Sequence, residues 1–144
     1  MQVWGLVDAH RPISALEKKV METELKTMQV ALRQAGAVLE AAAKVELTKA
    51  GRHKKGTATP SVAPAAPSII TGSLRASIKT GKPIKVGFGS YKVEVGPKII
   101  YGRAQELGYE AGNLPARPYM APAFEASKAE IVKVYQKVWG SSLR

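Results

Sequence analysis

Apolar positions in the first third of the chain recur with the period of a helix. Leu25, Met28, Leu32, Ala35 and Leu39 step by three and four residues, and Leu16, Val20, Thr27, Ala31, Val38, Ala42 and Val45 form an adjoining stripe. The pattern predicts one long helix over residues 13–49. Pro12 suits its first turn and Gly51 its C-terminal stop. At 1.5 Å per residue it would run ~55 Å, long for a globular helix, so part of its apolar surface is expected to face another subunit. Gly36 marks either a bend or a glycine that is merely tolerated.

The periodicity stops at residue 51. Gly51-Arg52-His53-Lys54-Lys55-Gly56 is a basic cluster, and Thr57 to Ser68 brings Pro60, Pro64 and Pro67 among Ala, Ser, Thr and Val. This reads as a flexible basic loop over about residues 51–68, inside a single domain that spans residues 1–144. Thr71 to Ile78 predicts a short capped helix with Thr71 or Ser73 as N-cap. Period-two alternation follows. Ile84, Val86 and Phe88, then Tyr91, Val93 and Val95, flank a Gly89-Ser90 turn, which predicts an antiparallel hairpin with Lys85 and Lys92 on its solvent face. Lys98 to Tyr101 is a candidate third strand. A last helix is predicted over 122–139, with Pro122 in its first turn and Phe124, Ile131, Tyr135 and Val138 on one face. The order gives an α+β fold: long N-terminal helix, short capped helix, hairpin or small sheet, C-terminal helix.

Charge changes the picture because it is uneven. The net charge is +11, of which residues 51–100 carry +8, with Glu94 as their sole carboxylate. Such concentration is the footprint of a polyanion-facing surface, although a solubilising excess has the same composition. The chain has no cysteine, which excludes disulfides, thiolate metal sites and thiol catalysis and fits a reducing compartment. No charged n-region with an apolar run opens the chain, and no run reaches the ~20 apolar residues of a membrane span. The protein is expected to be soluble and intracellular when made, with no membrane partner.

Catalytic patterns are missing. His10 and His53 lack second ligands at metal spacing, and neither a Gly-x-Ser-x-Gly elbow nor a P-loop is present. Gly87 and Gly89 lack the rest of a dinucleotide fingerprint and suit a turn or bulge. Glu106 and Glu110 are spaced by one turn with Gly108 between them, as in a surface pair. The expectation is a non-enzyme with no metal and no cofactor.

Three segments carry a resemblance. Thr71-Gly72-Ser73-Leu74-Arg75-Ala76-Ser77-Ile78, Tyr101-Gly102-Arg103-Ala104-Gln105-Glu106-Leu107-Gly108 and Pro115-Ala116-Arg117-Pro118-Tyr119-Met120-Ala121-Pro122-Ala123 occur in that order, with Val93-Glu94-Val95-Gly96 between the first two. The set resembles the gene-ten-type head–tail joining, neck or tail-completion proteins of lambdoid siphophages, a family related to the lambda minor tail protein Z group. It covers about residues 69–135; the N-terminal helix carries no motif, and the Pro/Ala-rich stretch departs from the pattern. The resemblance implies a structural virion subunit assembled in the bacterial cytoplasm. It further implies a symmetric ring with connector and tail-tube proteins at the head–tail joint. Leu74, Arg75, Tyr101, Glu106, Gly108, Arg117, Pro118, Tyr119 and Pro122 are the motif and interface candidates.

Two physical expectations follow. Pro118 and Pro122 stiffen the lead into the last helix, so Tyr119 packs against the hairpin while Arg117 pairs with Glu106 to fix loop 108–116; Tyr101 and Phe124 belong to the core. Arg52, Lys54, Lys55, Lys79, Lys82, Lys85 and Lys92 contact either phosphates of genome DNA in the channel or acidic faces of neighbouring ring proteins. A nucleic-acid-binding protein without a virion role is the alternative. Charge favours it, and the absence of a helix-turn-helix, zinc finger or aromatic ladder speaks against it.

Overall fold

The computed structural model describes residues 4–53, 61–87 and 90–142. The fold is α+β. Helix α1 (Trp4–Lys49) leads to α2 (Ser73–Ser77), strands β1 (Ile78–Thr80), β2 (Ile84–Gly87), β3 (Ser90–Lys92) and β4 (Val95–Pro97), helix α3 (Tyr101–Leu107), a 3₁₀ turn (Glu110–Gly112) and helix α4 (Met120–Ser142).

The first helix starts earlier than its stripe predicts. Pro12 lies inside it, where it cannot donate to the carbonyl of residue 8, and not in the first turn. Its 46 residues correspond to ~69 Å. Its buried apolar side chains, Ala31, Ala35, Ala43 and Leu47, step by four or eight residues along one face. Leu16, Val20 and Val45 of the expected second stripe are exposed. Helix α4 runs antiparallel to α1. Its start, with Tyr119 and Ala123, shares a core cluster with Ala43 and Leu47, while Trp139 near its end borders Leu16 to Thr27. Small residues meet at this crossing, with Ala123 and Ser127 buried on α4. Ser127 directs its hydroxyl to the Ala123 carbonyl at 2.7 Å, which removes an unpaired donor from the packed face.

The strands form one long ribbon in two pieces. β1 pairs antiparallel with β4, Ile78 opposite Pro97 and Thr80 opposite Val95. β2 pairs antiparallel with β3, Ile84 opposite Lys92 and Lys85 opposite Tyr91. Gly81 N–H donates to the Glu94 carbonyl at 2.7 Å between the pieces. Pro83, which has no N–H, interrupts the ladder. The third strand is thus Ile78–Thr80, the predicted end of the short helix, and not Lys98–Tyr101. Lys98 lies beyond β4 and donates its backbone N–H to the Ser77 carbonyl, and Tyr101 opens α3. Lys85 and Lys92 are both exposed, yet they lie on opposite faces of the thin inner ribbon, because adjacent pairs in the register alternate sides. The predicted turn at Gly89-Ser90 falls partly outside the described residues, and Ser90 already belongs to β3.

The ribbon meets α1 at Gly36. A Cβ at Gly36 would sit 2.5 Å from Thr80 Cγ2, so this glycine is required for close approach and not for a bend. One turn on, Glu40 Oε2 accepts from Thr80 N–H at 2.7 Å and from its hydroxyl at 2.9 Å, while Lys44 pairs with Oε1. The Lys44 ammonium and the two Thr80 donors hold the Glu40 carboxyl down at about 2, against the desolvation that opposes them.

The chain leaving α1 is pinned to the segment that precedes α2. His53 N–H donates to the Ile69 carbonyl at 3.0 Å and Ile69 N–H to the Gly51 carbonyl at 2.9 Å. Ala66 reaches the core cluster. Within 61–68, Ala66 and Pro67 are buried while Val62, Pro64 and Ala65 are exposed; Lys54, Lys55 and the other residues of 54–60 lie outside the described residues.

Candidate functional site

The second and third motif segments meet at the N-terminus of α4. Glu106, on α3, aims its carboxylate at the first turn of that helix. Oε2 accepts the Tyr119 N–H at 2.7 Å and the Met120 N–H at 2.9 Å, and Oε1 accepts the Ala121 N–H at 3.0 Å. Helix starts leave such N–H groups without intrahelical acceptors, and their summed dipole favours a negative charge. Glu106 supplies both acceptor and charge from thirteen to fifteen residues upstream.

This geometry corrects the expected Arg117–Glu106 pair. Both Glu106 oxygens are committed to backbone donors, and no ion pair joins the two side chains. Arg117 contributes through its backbone, donating N–H to the Gln105 carbonyl at 2.7 Å; its Nε is enclosed without an acceptor. Loop 108–116 is fixed instead by the reciprocal backbone bonds of Tyr109 and Leu114, at 2.9 and 3.0 Å. Gly108 opens it at φ +80°, and a Cβ there would approach Ala116 N at 3.0 Å. Pro118 and Pro122 are half-buried on either side of the helix start, with Pro122 inside the first turn.

Tyr119 is 0% exposed. Its hydroxyl donates to the Gly102 carbonyl at 3.1 Å, so it packs on α3 as well as on the core residues shared with α1 and the ribbon. Burial raises its phenol above the ordinary tyrosine range, and the Glu106 and Tyr101 charges push the same way. The phenol is thus a neutral structural donor. A Cβ on Gly102 would collide with the Pro97 ring, so this position also needs glycine. Tyr101, at 47% exposed, and Phe124, at 42%, lie at the surface and not in the core; the helical periodicity around Phe124 does not fix which way a half-apolar face turns.

The first motif segment supplies a second contact. Gly72, in the left-handed conformation, precedes α2 as its N-cap residue with no side-chain cap, which replaces the expected Thr71 or Ser73. Thr71 Oγ1 instead accepts from Ser73 N–H at 3.3 Å. Leu74 packs against the core cluster, while Arg75 is exposed and donates Nε to the Lys44 carbonyl at 3.3 Å. Leu74, Arg75 and Tyr101 border a cavity of about 250 Å³ together with Leu47 and Gln105. On the neighbouring side, Lys44, Arg52, Ile69, Gly72, Arg75 and Ala76 border a more polar cleft of about 300 Å³. Lys79, Lys82, Lys85 and Lys92 are exposed along the ribbon, and Lys92 pairs with Glu94 at 2.8 Å. Sequence reasoning missed Lys44 and Glu40, and it noticed Gly36 without its contact to Thr80. None stands in a motif, and only the fold brings them to Thr80 and Arg75.

Among the described residues, no three His, Asp or Glu side chains gather as metal ligands would. Nor is any helix among them long and apolar enough to cross a membrane. No family model matches the chain. It is similar to an uncharacterized protein of Methanocaldococcus jannaschii, 29% identical over 59 residues, which are 41% of this chain and 44% of that protein. The chain thus spans less than half the length of that relative. No solved structure matches.

Proposed function

We propose that the chain is a structural, non-catalytic subunit of a tailed-phage neck, joining or completing the head–tail interface as part of a ring around the DNA channel. Its partners on this reading are connector and tail-tube proteins and further copies of itself. The carrying observation is that the motif segments interlock. The Glu106 carboxylate, the Tyr119 hydroxyl and the glycine at 102 are all spent on holding backbone in place. A signature invested in fastening a scaffold suits an assembly subunit better than an enzyme, whose polar groups must stay free to meet substrate. A second feature agrees with it. Leu16, Val20 and Met21 stand exposed on α1, as apolar side chains do in a subunit that buries surface only on assembly.

Electron microscopy of lysates from the phage that carries the gene, with the gene deleted, tests the reading. Filled heads beside complete, unattached tails are expected. Normal infectious particles would overturn it and bring the nucleic-acid-binding reading forward.

A further inference from the structure

The cleft beside α2 has the chemistry of an anion site. Between residues 47 and 93 the sequence contains no Asp or Glu, while nine Lys and Arg fall in the same stretch. Two of those cations, Arg52 and Arg75, meet Lys44 of α1 around the cleft of about 300 Å³. The three arrive from separate elements, each held by its backbone. Gly51, at φ +75°, turns the chain out of α1, and the backbone bridge to Ile69 then fixes Arg52. Arg75 sits on α2 with its Nε tethered to the Lys44 carbonyl, which leaves its terminal nitrogens as the remaining donors. Among the described residues no carboxylate pairs with either guanidinium. Glu40, the partner of Lys44, also accepts from Thr80 and does not border the cleft. It offsets the Lys44 charge, so the cleft carries about two uncompensated positive charges, both on planar forks suited to oxyanions.

We infer that Arg52, Arg75 and Lys44 form a phosphate-binding pocket that grips the backbone of duplex DNA without reading its sequence. A lone carboxylate is satisfied by one guanidinium fork. Two guanidinium forks bordering one cleft with no carboxylate paired to either, beside Lys44, match the several oxygens of a phosphodiester. The exposed Lys79, Lys82 and Lys85 extend the same sign of charge along the ribbon and supply attraction at longer range. The inference does not depend on the joining role, because it concerns what the isolated chain holds.

Fluorescence anisotropy of a short labelled duplex, titrated with the full chain over a series of salt concentrations, tests it. Two double variants remove equal charge: Arg52→Gln/Arg75→Gln in the cleft, and Lys82→Gln/Lys85→Gln on the ribbon. The cleft variant is expected to bind about tenfold more weakly and to lower the salt slope by about two, against a loss under about threefold for the ribbon variant. Arg52→Gln alone, whose side chain makes no hydrogen bond or ion pair among the described residues, guards against a folding defect and should give a loss between these. Arg52→Lys/Arg75→Lys keeps the charge and loses the forks; it should fall between wild type and the cleft variant. Equal losses in the cleft and ribbon variants would mean diffuse attraction and overturn the pocket. No binding of duplex by the wild-type chain at low salt would also overturn it, and retention of polyglutamate in that case would assign the cleft to an acidic protein. A chain that binds DNA through the cleft while the deletion leaves particles normal would refute the joining role alone.

Discussion

Removing the Glu106 carboxylate should loosen the start of α4 more than any other single charge removal among the described residues of that region. Three backbone donors depend on it, two on one oxygen and one on the other. Loss of a side-chain cap costs about 0.5–2 kcal/mol, and loss of a charge at a helix N-terminus about 0.3–1 kcal/mol more. Water can reach the Ala121 N–H, since Ala121 is exposed, but Tyr119 is fully buried and Met120 half-buried. Glu106→Ala should therefore cost about 2–3 kcal/mol, a large part of the 5–15 kcal/mol typical of a domain. Glu106→Gln discriminates the cause. Its single amide oxygen can serve the Tyr119 and Met120 donors, while its NH₂ would face the Ala121 N–H, so it should cost about 1 kcal/mol. Urea unfolding followed by circular dichroism gives both values from the midpoint and slope. Glu125→Gln is the control. Glu125 lies in the same helix, exposed, 3.7 Å from an exposed Lys128, and its loss should stay within about 0.5 kcal/mol. A Glu106→Ala protein within about 0.5 kcal/mol of wild type, at unchanged slope, would refute the capping argument.

Gly36→Ala should destabilise by about 1–2 kcal/mol although alanine favours a helix by ~1 kcal/mol, because the new methyl meets Thr80 Cγ2. Thr80→Ser, which removes that methyl and keeps the hydroxyl on Glu40, should recover part of the loss in the double variant; a Gly36→Ala protein more stable than wild type would sink the close-approach reading. Glu40 is held at about 2, below its unfolded value near 4.5, so its contribution is complete above pH ~4.5 and fades as pH falls towards 2. Discounted for partial exposure, that contribution is about 1–2 kcal/mol, and the acid unfolding profile of Glu40→Gln should be flatter across this window; parallel profiles would contradict it. Tyr119→Phe strips the donor from the Gly102 carbonyl and should cost about 1–2 kcal/mol in thermal or urea unfolding, with no change in fold by circular dichroism.

The long helix, the short helix, the hairpin and the C-terminal helix were legible because each follows from local periodicity and turn chemistry. What local pattern could not supply was partner choice. The alternation around Val93 and Val95 predicts a strand, yet it cannot say that Val95 pairs with Thr80 instead of continuing the inner hairpin. Pro12 looks like a helix start because proline fits a first turn, yet α1 runs through it despite the lost hydrogen bond and ring clash of an interior proline, together about 3 kcal/mol. Glu106 and Arg117 invite pairing by charge. The geometry prefers three backbone N–H donors at a helix start, which lack intrahelical acceptors, over one side-chain cation. The basic third was visible as composition, but its convergence on a cleft depended on Lys44, a residue of the near-neutral first third.

The same geometry explains why a motif can be informative about fold while saying little about chemistry. Gly102, Glu106, Gly108 and Tyr119 are each replaceable only at a cost to the fold: a collision with Pro97, three orphaned donors, a strained positive φ, or a void in the core. Any chain that keeps this junction must keep residues of these types, whatever it binds. Arg75 differs. Its side chain is exposed, its one hydrogen bond to the Lys44 carbonyl could be given up to water, and no burial compels an arginine there. A charged fork placed where the fold does not demand it is better explained by what lies outside the chain. For that reason the cleft at Arg75, and not the more elaborate network around Glu106, is the place where the partner of this protein should be sought.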